Sequence, residues 1–399
     1  LYPSKFNTPK SELDQRINDL QNQLMQENID AALILQRTDL FYFSGTVQQA
    51  NLFIPAEGEP MLLVVKSSER AMAESSIARI VPLTSPKKIP GILKQNGYEL
   101  PDTLGLELDV LPANLYFYYR SIFEKSNILD ISSLIRTTRS VKSPYEIDIM
   151  RQAARLSDRV AGSVPNILRE GMTELELAGR IEAEARKLGH QGIVRMRLWG
   201  NEMFYGHLMS GPEAAVPSFL SSPTGGAGAS PAVAQGPSSK PVRRHEPVLL
   251  DYVFAYNGYL SDHTRVFSLG ALPQELVEAH AAMLDIQRMV KKKAVPGVKS
   301  GIIYELALER AEASGYGDYF MGADRQRIRF VGHGIGLELD EYPFLAAGQD
   351  FELAKGMILA IEPKLVFPGK GVVGIENTHL VTEKGLEQFG AFPDEIVVI

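Results

Sequence analysis

Cysteine is absent from all 399 residues, which excludes disulfides and thiolate metal sites. Any metal bound here must be held by oxygen and imidazole. Tryptophan occurs once and histidine seven times, so candidates for imidazole chemistry are few. Positive charge is not in excess: Lys and Arg total 41 against 48 Asp and Glu, a formal net charge of −7. That balance argues against nucleic acid or an acidic membrane as partner. No apolar run is long enough to span a bilayer, and the start shows no signal-peptide pattern. The chain opens on Leu1 rather than Met, as expected of a trimmed N-terminus. A reducing cytoplasm fits this cysteine-free composition and is the expected location. What is present is ordinary for a globular protein: 45% hydrophobic and 22% charged residues, enough for two domains.

The organisation follows from hydrophobic period. Leu13, Ile17, Leu20 and Leu24 recur at helical spacing. AALILQ, FYFSG, LFIPA and MLLVV then read as strands, SERAMAESSIARI as a helix and ARIVPL as a further strand. This alternation describes an α/β domain over residues 1–140. At Ser143 the pattern changes: Pro144 and Glu146 follow it, a capped helix start with Pro in the first turn. An amphipathic helix continues through Ile147, Met150, Ala154 and Val160 and opens a second domain, 141–399. TELELAGRIEAEARKLG and PQELVEAHAAMLDIQRMVKKKA supply two more helices, with strands between them. Residues 221–241, SSPTGGAGASPAVAQGPSSKP, are expected to be a loop, because their composition buries little apolar surface. A loop that long inside a domain is either functional or a tolerated surface insertion.

Five residues carry most of the chemistry: Asp251, Asp262, His333, Glu362 and Glu376. Together they make a hard, oxygen-rich set of the kind that holds two divalent cations. Asp251 and Asp262 lie on either side of Asn257–Gly258, a strong hairpin signal that brings distant carboxylates to one point. His333 sits in GHGIG, where glycine permits close backbone approach. Glu362 ends the apolar run MILAI, and Glu376 lies in VVGIENTHLV, read as another strand. Acids in apolar strands are rarely left unpaired, and a metal would satisfy all of them at once. Each also has a plainer reading: an Asp in a hairpin is often a turn residue, and Glu362 alone could pair with a Lys.

The segments DYVFAYNGYLSDHTRVF, GHGIGLELDEYP, AIEPKL and GIENTHLVTEKG resemble those of the creatinase, prolidase and aminopeptidase P group, the pita-bread metallopeptidases. RINDLQNQLMQENIDAALILQRTDLFYFSG resembles the start of the creatinase N-terminal domain, and VKSPYEIDIMRQAARLSD the entry to the catalytic domain. The resemblance implies an α/β (α+β) fold: a creatinase-like N-terminal domain followed by a pita-bread domain. It implies two divalent ions bridged by Asp262 and Glu376, with Asp251 on one ion and His333 and Glu362 on the other. Manganese suits the hard ligand set best, with cobalt, zinc or iron as alternatives. A hydroxide shared by the ions would attack a short peptide, commonly one with Pro after the scissile bond, and Glu362 would carry the proton. A homodimer is implied as well.

Three positions depart from the family pattern. Similar peptidases carry His where this chain has Ser218 and Asp340, and Arg where it has Gly374. Those histidines serve as hydrogen-bond donors to the substrate or the developing oxyanion. An ionised Asp340 is an acceptor only, so it would need a proton or a cation to take such a role. Candidate catalytic residues are therefore Glu362, Asp340, Ser218 and His207, the last lying three residues before Ser210. Strand alternation turns His379 away from Glu376 and His263 away from the metals. Arg195 and Arg197 share a face of the expected strand VRMRLW, which reads as solvated or as a clamp for a substrate carboxylate. His245, in a charged turn, is given no role. Two other functions stay open: hydrolysis of a non-peptide amide, and a catalytically inactive binding protein on the same fold.

Overall fold

The computed structural model describes residues 6–399. The chain divides into two compact units, one reaching Arg139 and one running from Ser140 to Ile399. The first alternates helix and strand: α1 (Lys10–Gln26), β1 (Ala31–Ile34), α2 (Arg37–Ser44), β2 (Ala50–Pro55), β3 (Met61–Val64), α3 (Ser68–Glu74), β4 (Arg79–Pro82), α4 (Ile89–Gln95), β5 (Thr103–Leu106), α5 (Ala113–Ile122), β6 (Asn127–Asp130) and α6 (Ser132–Ser140). Its sheet has the order β4-β3-β2-β1-β5-β6, with a core of Leu33, Phe53, Leu63 and Leu104 among others.

One expected strand of this unit is a helix. FYFSG belongs to α2, whose N-cap Gln36 accepts from the backbone N–H of Thr38 and Asp39 and whose C-cap is Gly45 at φ 75°. Aromatic residues favour strands, but a cap at each end settles the backbone locally. The helix read from SERAMAESSIARI is also shorter than its sequence signal and ends at Glu74.

The second unit opens with α7 (Pro144–Ile167), entered through a capping box between Ser143 and Glu146. There follow α8 (Glu174–Lys187), β7 (Gly206–Ser210), β8 (Val248–Tyr256), β9 (Tyr259–Ser268), α9 (Gln274–Lys293) and α10 (Ser300–Ala313). The remaining elements are β10 (Phe330–Gly334), β11 (Glu341–Ala346), β12 (Ile358–Ile361), β13 (Lys364–Phe367), β14 (Gly371–Gly374), β15 (Asn377–Thr382), β16 (Gly385–Gln388) and β17 (Val397–Val398). Helix α10, absent from the sequence reading, buries Ile303, Tyr304, Ala307 and Ala311. The expected strand over VRMRLW does not form; residues 193–198 run as irregular chain, and Arg197 is buried 3.5 Å from Glu338 rather than solvated.

Two larger sheets and the two-stranded pair β13-β14 build this unit. One has the order β17-β9-β8-β7 and packs Leu250, Tyr252, Phe254 and Phe267 against α7 and α8. The other has the order β11-β10-β12-β15-β16 and packs Val331, Leu359 and Ile361 against α9 and α10. Residues one place out of phase with these cores face the other way, and there the polar side chains collect. An isolated bridge between Thr264 and Glu376 links the two sheets along that face.

Candidate metal centre

Asp251 and Asp262 are set by the β8–β9 hairpin. Asn257 at φ 47° and Gly258 at φ 88° form its two-residue turn, both left-handed as such turns require. The register pairs Asp251 with Thr264 and Val253 with Asp262, so both acids share the face opposite Leu250 and Phe254. His333 lies on β10 opposite Ala360 of β12. Gly334 beside it is obligatory, because a Cβ there would collide with the Tyr342 carbonyl.

Glu362 and Glu376 come from one interrupted hairpin. Ile361 pairs with Asn377, and after a break at Pro363 and Ile375 the pairing resumes with Lys364 opposite Gly374. Both registers belong to one frame, which sets Glu362 across from Glu376. Glu376 is thus not inside a single strand, as the sequence suggested, but in the junction between β14 and β15. Leu365 and Val373 point into the helical core. Lys364 and Gly374, one residue off, point with the two glutamates into the site.

All five expected ligands converge, and a sixth residue joins them. The Lys364 Nζ lies 3.0 Å from Asp251 Oδ2, 2.7 Å from Glu362 Oε2 and 2.9 Å from Glu376 Oε2. An ammonium has three N–H donors, and these three carboxylates use all of them. The plain reading of Glu362 as a lysine partner therefore holds in the structure for three acids together. The signal was in the sequence, since a residue two places from Glu362 on a strand shares its face.

The other side of the glutamates has no ammonium. His333 Nε2 lies 3.9 Å from Asp262 Oδ2, 3.7 Å from Glu362 Oε1 and 3.9 Å from Glu376 Oε1. Glu376 Oε1 is buried without a hydrogen-bond partner. Ligand atoms of Asp262, His333 and Glu376 all lie within 4.8 Å of one another. The His333 Nδ1–H donates to the Gly334 carbonyl at 3.0 Å, which leaves the Nε2 lone pair directed at the carboxylates. This donor set fits a divalent cation. The position between Asp251, Glu362 and Glu376 does not, because Lys364 Nζ is in it.

Charge and burial set the titration of these groups. Burial, reinforced by Glu362, pushes Glu376 up to about 8, and burial with repulsion from Glu376 and Asp251 holds Asp262 well above the usual range. Burial also works to raise Asp251, but Lys364 outweighs it and brings that carboxyl below its ordinary value. Burial opposes charge on Lys364 and His333, yet the surrounding carboxylates win and both are raised. The ammonium satisfies Asp251, whereas Asp262 and the Oε1 side of Glu376 still lack positive charge.

A pocket of about 550 Å³, counting its open mouth, leads to this cluster. Its walls carry Met196, Met203, Leu220, Phe330 and Leu339, with Asp340 and His207 in reach. Asp340 Oδ1 lies 3.8 Å from His333 Nδ1, behind the imidazole. His207 pairs across strands with Asp251, and its Nε2 lies 3.2 Å from Gln235 Oε1; burial lowers its affinity for a proton. Ser218 does not reach the cluster: it lines a separate cavity with Pro217, Gly225 and Ala323. His379 and His263 are buried and absent from the pocket wall, in line with strand alternation, and His245 Nδ1 lies 2.8 Å from the Ala271 carbonyl oxygen.

Supporting residues were missed in the sequence because their partners are remote. Thr264 Oγ1 donates to Glu376 Oε2 at 3.0 Å, and Thr224 Oγ1 donates to Asp251 Oδ2 at 2.9 Å. The buried Arg265 donates to the Glu376 carbonyl at 3.0 Å. Thr224 belongs to the 221–241 segment, which is a loop as expected but not a loose one. Glu174 accepts from the N–H and Oγ of both Ser210 and Ser238, at 2.6 to 2.9 Å, and ties the loop to β7.

Comparison with known proteins agrees with this fold. Metallopeptidase family M24 matches residues 148–383, and the creatinase/prolidase N-terminal domain matches residues 16–141. An Xaa-Pro dipeptidase of Pyrococcus furiosus is 28% identical, covering 94% of this chain and 97% of its own. An X-Pro aminopeptidase structure from Thermotoga maritima aligns at TM-score 0.79 with 26% identity, over 96% of this chain and 99% of that one. An Xaa-Pro dipeptidase structure from Bacillus anthracis aligns at TM-score 0.82 over 97% of this chain and 100% of its own; at 24% identity it speaks for the fold.

Proposed function

We propose, given that the chain belongs to metallopeptidase family M24 and is a peptidase-type hydrolase, that it cleaves a short peptide with a divalent cation held by Asp262, His333, Glu362 and Glu376. One observation carries the reading: His333 Nε2 faces three carboxylates within 3.9 Å, and one of their oxygens, Glu376 Oε1, is buried and unpartnered. When bound, a divalent ion supplies Lewis acidity and makes a water nucleophilic near neutral pH. The chain's own groups do the rest. Glu362, in contact with both halves of the site, is placed to take and pass on a proton. Met196, Met203, Phe330 and Leu339 offer an apolar wall for a small side chain and exclude water beside it. Asp340 backs His333 and steadies positive charge on or near the imidazole.

An Xaa-Pro substrate is supported by the relatives that carry that name. Manganese is the first ion to test because the ligands are mostly carboxylate. A homodimer in a reducing cytoplasm completes the reading, on the family resemblance. The test is a panel of Xaa-Pro dipeptides and tripeptides with Mn²⁺, Co²⁺ or Zn²⁺. Turnover should exceed that of Glu376→Ala by at least about 10²-fold, the scale of losing one key charge-stabilising group. Equal rates for the two proteins across the panel would remove the peptidase reading. A non-catalytic binding role has one observation in its favour, the lysine that neutralises three acids, and such equal rates would select it.

A further inference from the structure

We propose that Lys364 is a built-in cation of this site, filling the position between Asp251, Glu362 and Glu376, so that the chain binds one divalent ion rather than two. The inference rests on the metal-dependent reading above and narrows it. Each glutamate is divided between the two positions: Glu362 Oε2 and Glu376 Oε2 accept from Lys364, while Glu362 Oε1 and Glu376 Oε1 face His333. Asp251 contributes only to the lysine side, and Asp262 and His333 only to the other.

The lysine is placed by the backbone and not merely by a rotamer. Its strand register sets it on the face of the glutamates, and its side chain is 1% exposed. Gly374 makes the room. A Cβ at that position would lie 2.5 Å from the Pro363 carbonyl oxygen, 2.7 Å from Lys364 Cα and 2.9 Å from its Cγ. Gly374, paired with Lys364 across the strands, thus sets no side chain against the facing backbone or the base of the lysine stem. With three donors committed to three carboxylates, Lys364 has no N–H left for a substrate oxygen. It serves as fixed charge that replaces an ion, not as an electrophile.

The experiment is metal analysis after loading with excess Mn²⁺ and desalting, together with electron paramagnetic resonance of the bound ion. Wild type should hold one equivalent with the six-line spectrum of an isolated Mn²⁺. Lys364→Ala, with the ammonium and stem removed, should hold two equivalents and show exchange coupling between them. Two equivalents in wild type would overturn the proposal and leave the hydrolase reading standing. One equivalent in both proteins would also overturn it, since the lysine would not be what excludes the second ion. No metal in folded wild type would overturn it together with the metal-dependent reading. One equivalent in wild type without peptide turnover would support the cation assignment and remove the peptidase. If Lys364→Ala does not fold, the wild-type stoichiometry and spectrum still decide between one ion and two.

Discussion

At the scale of single residues, the site is a balance between four carboxylates and the charges that can reach them. Lys364 satisfies Asp251 and one oxygen each of Glu362 and Glu376, which leaves a smaller vacancy than five ligands alone would suggest. Gly374 is the companion to that arrangement. Its φ of 155° suits glycine, and the Pro363 carbonyl together with Lys364 Cα and Cγ leave no space for a β-carbon. Gly374→Ala should therefore lower stability by about 1–3 kcal/mol in urea unfolding, the usual cost of a strained backbone position. No change in the midpoint would show that the strand can shift to accept a side chain. Asp251, Asp262, His333, Glu362 and Glu376 were legible in the sequence because residue type and spacing carry them. Lys364 was legible in principle, two residues from Glu362 on a strand, but lysine next to proline at a strand end reads first as a surface residue. Only its burial reveals the role.

At the scale of elements, one acid fixes a loop that composition alone describes as unstructured. Glu174, in the first turn of α8, accepts four hydrogen bonds from Ser210 and Ser238. An acid near a helix N-terminus is favoured by the helix dipole, so the anchor is stable where it stands. Glu174→Ala would leave buried donors unsatisfied and should cost about 3 kcal/mol or more. The same variant should be cut faster by protease within residues 221–241, because the loop loses its tie to β7. Stability loss without faster cleavage would show that the anchor serves the helix alone. The loop also sends Thr224 to Asp251, so its order bears on the carboxylate cluster. Sequence signals captured α1, α7, α8, α9 and the β8–β9 hairpin, where period, caps and an Asn-Gly turn agree. They failed at α2, where the caps Gln36 and Gly45 overrule the strand preference of three aromatics.

At the scale of the whole molecule, buried neutral histidines tie stability to pH. Burial lowers His190 to about 4 and His379 to about 3. The His190 Nε2–H donates to the Val253 carbonyl at 3.0 Å while its Nδ1 accepts from the Gly192 N–H at 2.9 Å, an arrangement that requires the neutral ring. Both folded values lie below the unfolded one of about 6.5, so their stabilisation is full above that pH and is lost as pH falls towards 4 and 3. Each contributes a slope of about 1.4 kcal/mol per pH unit inside its window. His190→Gln should therefore lose less stability than wild type between pH 6.5 and 4.5 in urea unfolding. Parallel pH profiles for the two proteins would refute it. No helix among the described residues is long and apolar enough to cross a membrane.

The sequence by itself determined the fold class, the family and the five side chains that converge in the candidate site, because each depends on short-range pattern: period, turn residues and local spacing. Tertiary structure decided which positive charge those side chains already face. That charge depends on which residue lies across the strand from which, and a pairing of Lys364 with Gly374, ten residues apart, is set by register rather than by neighbourhood. Likewise, Ser218 lay near the expected site in sequence and is outside the pocket, whereas Thr224 lay in an apparently featureless loop and bonds to Asp251. Long-range packing assigns such positions, and only the folded chain displays it.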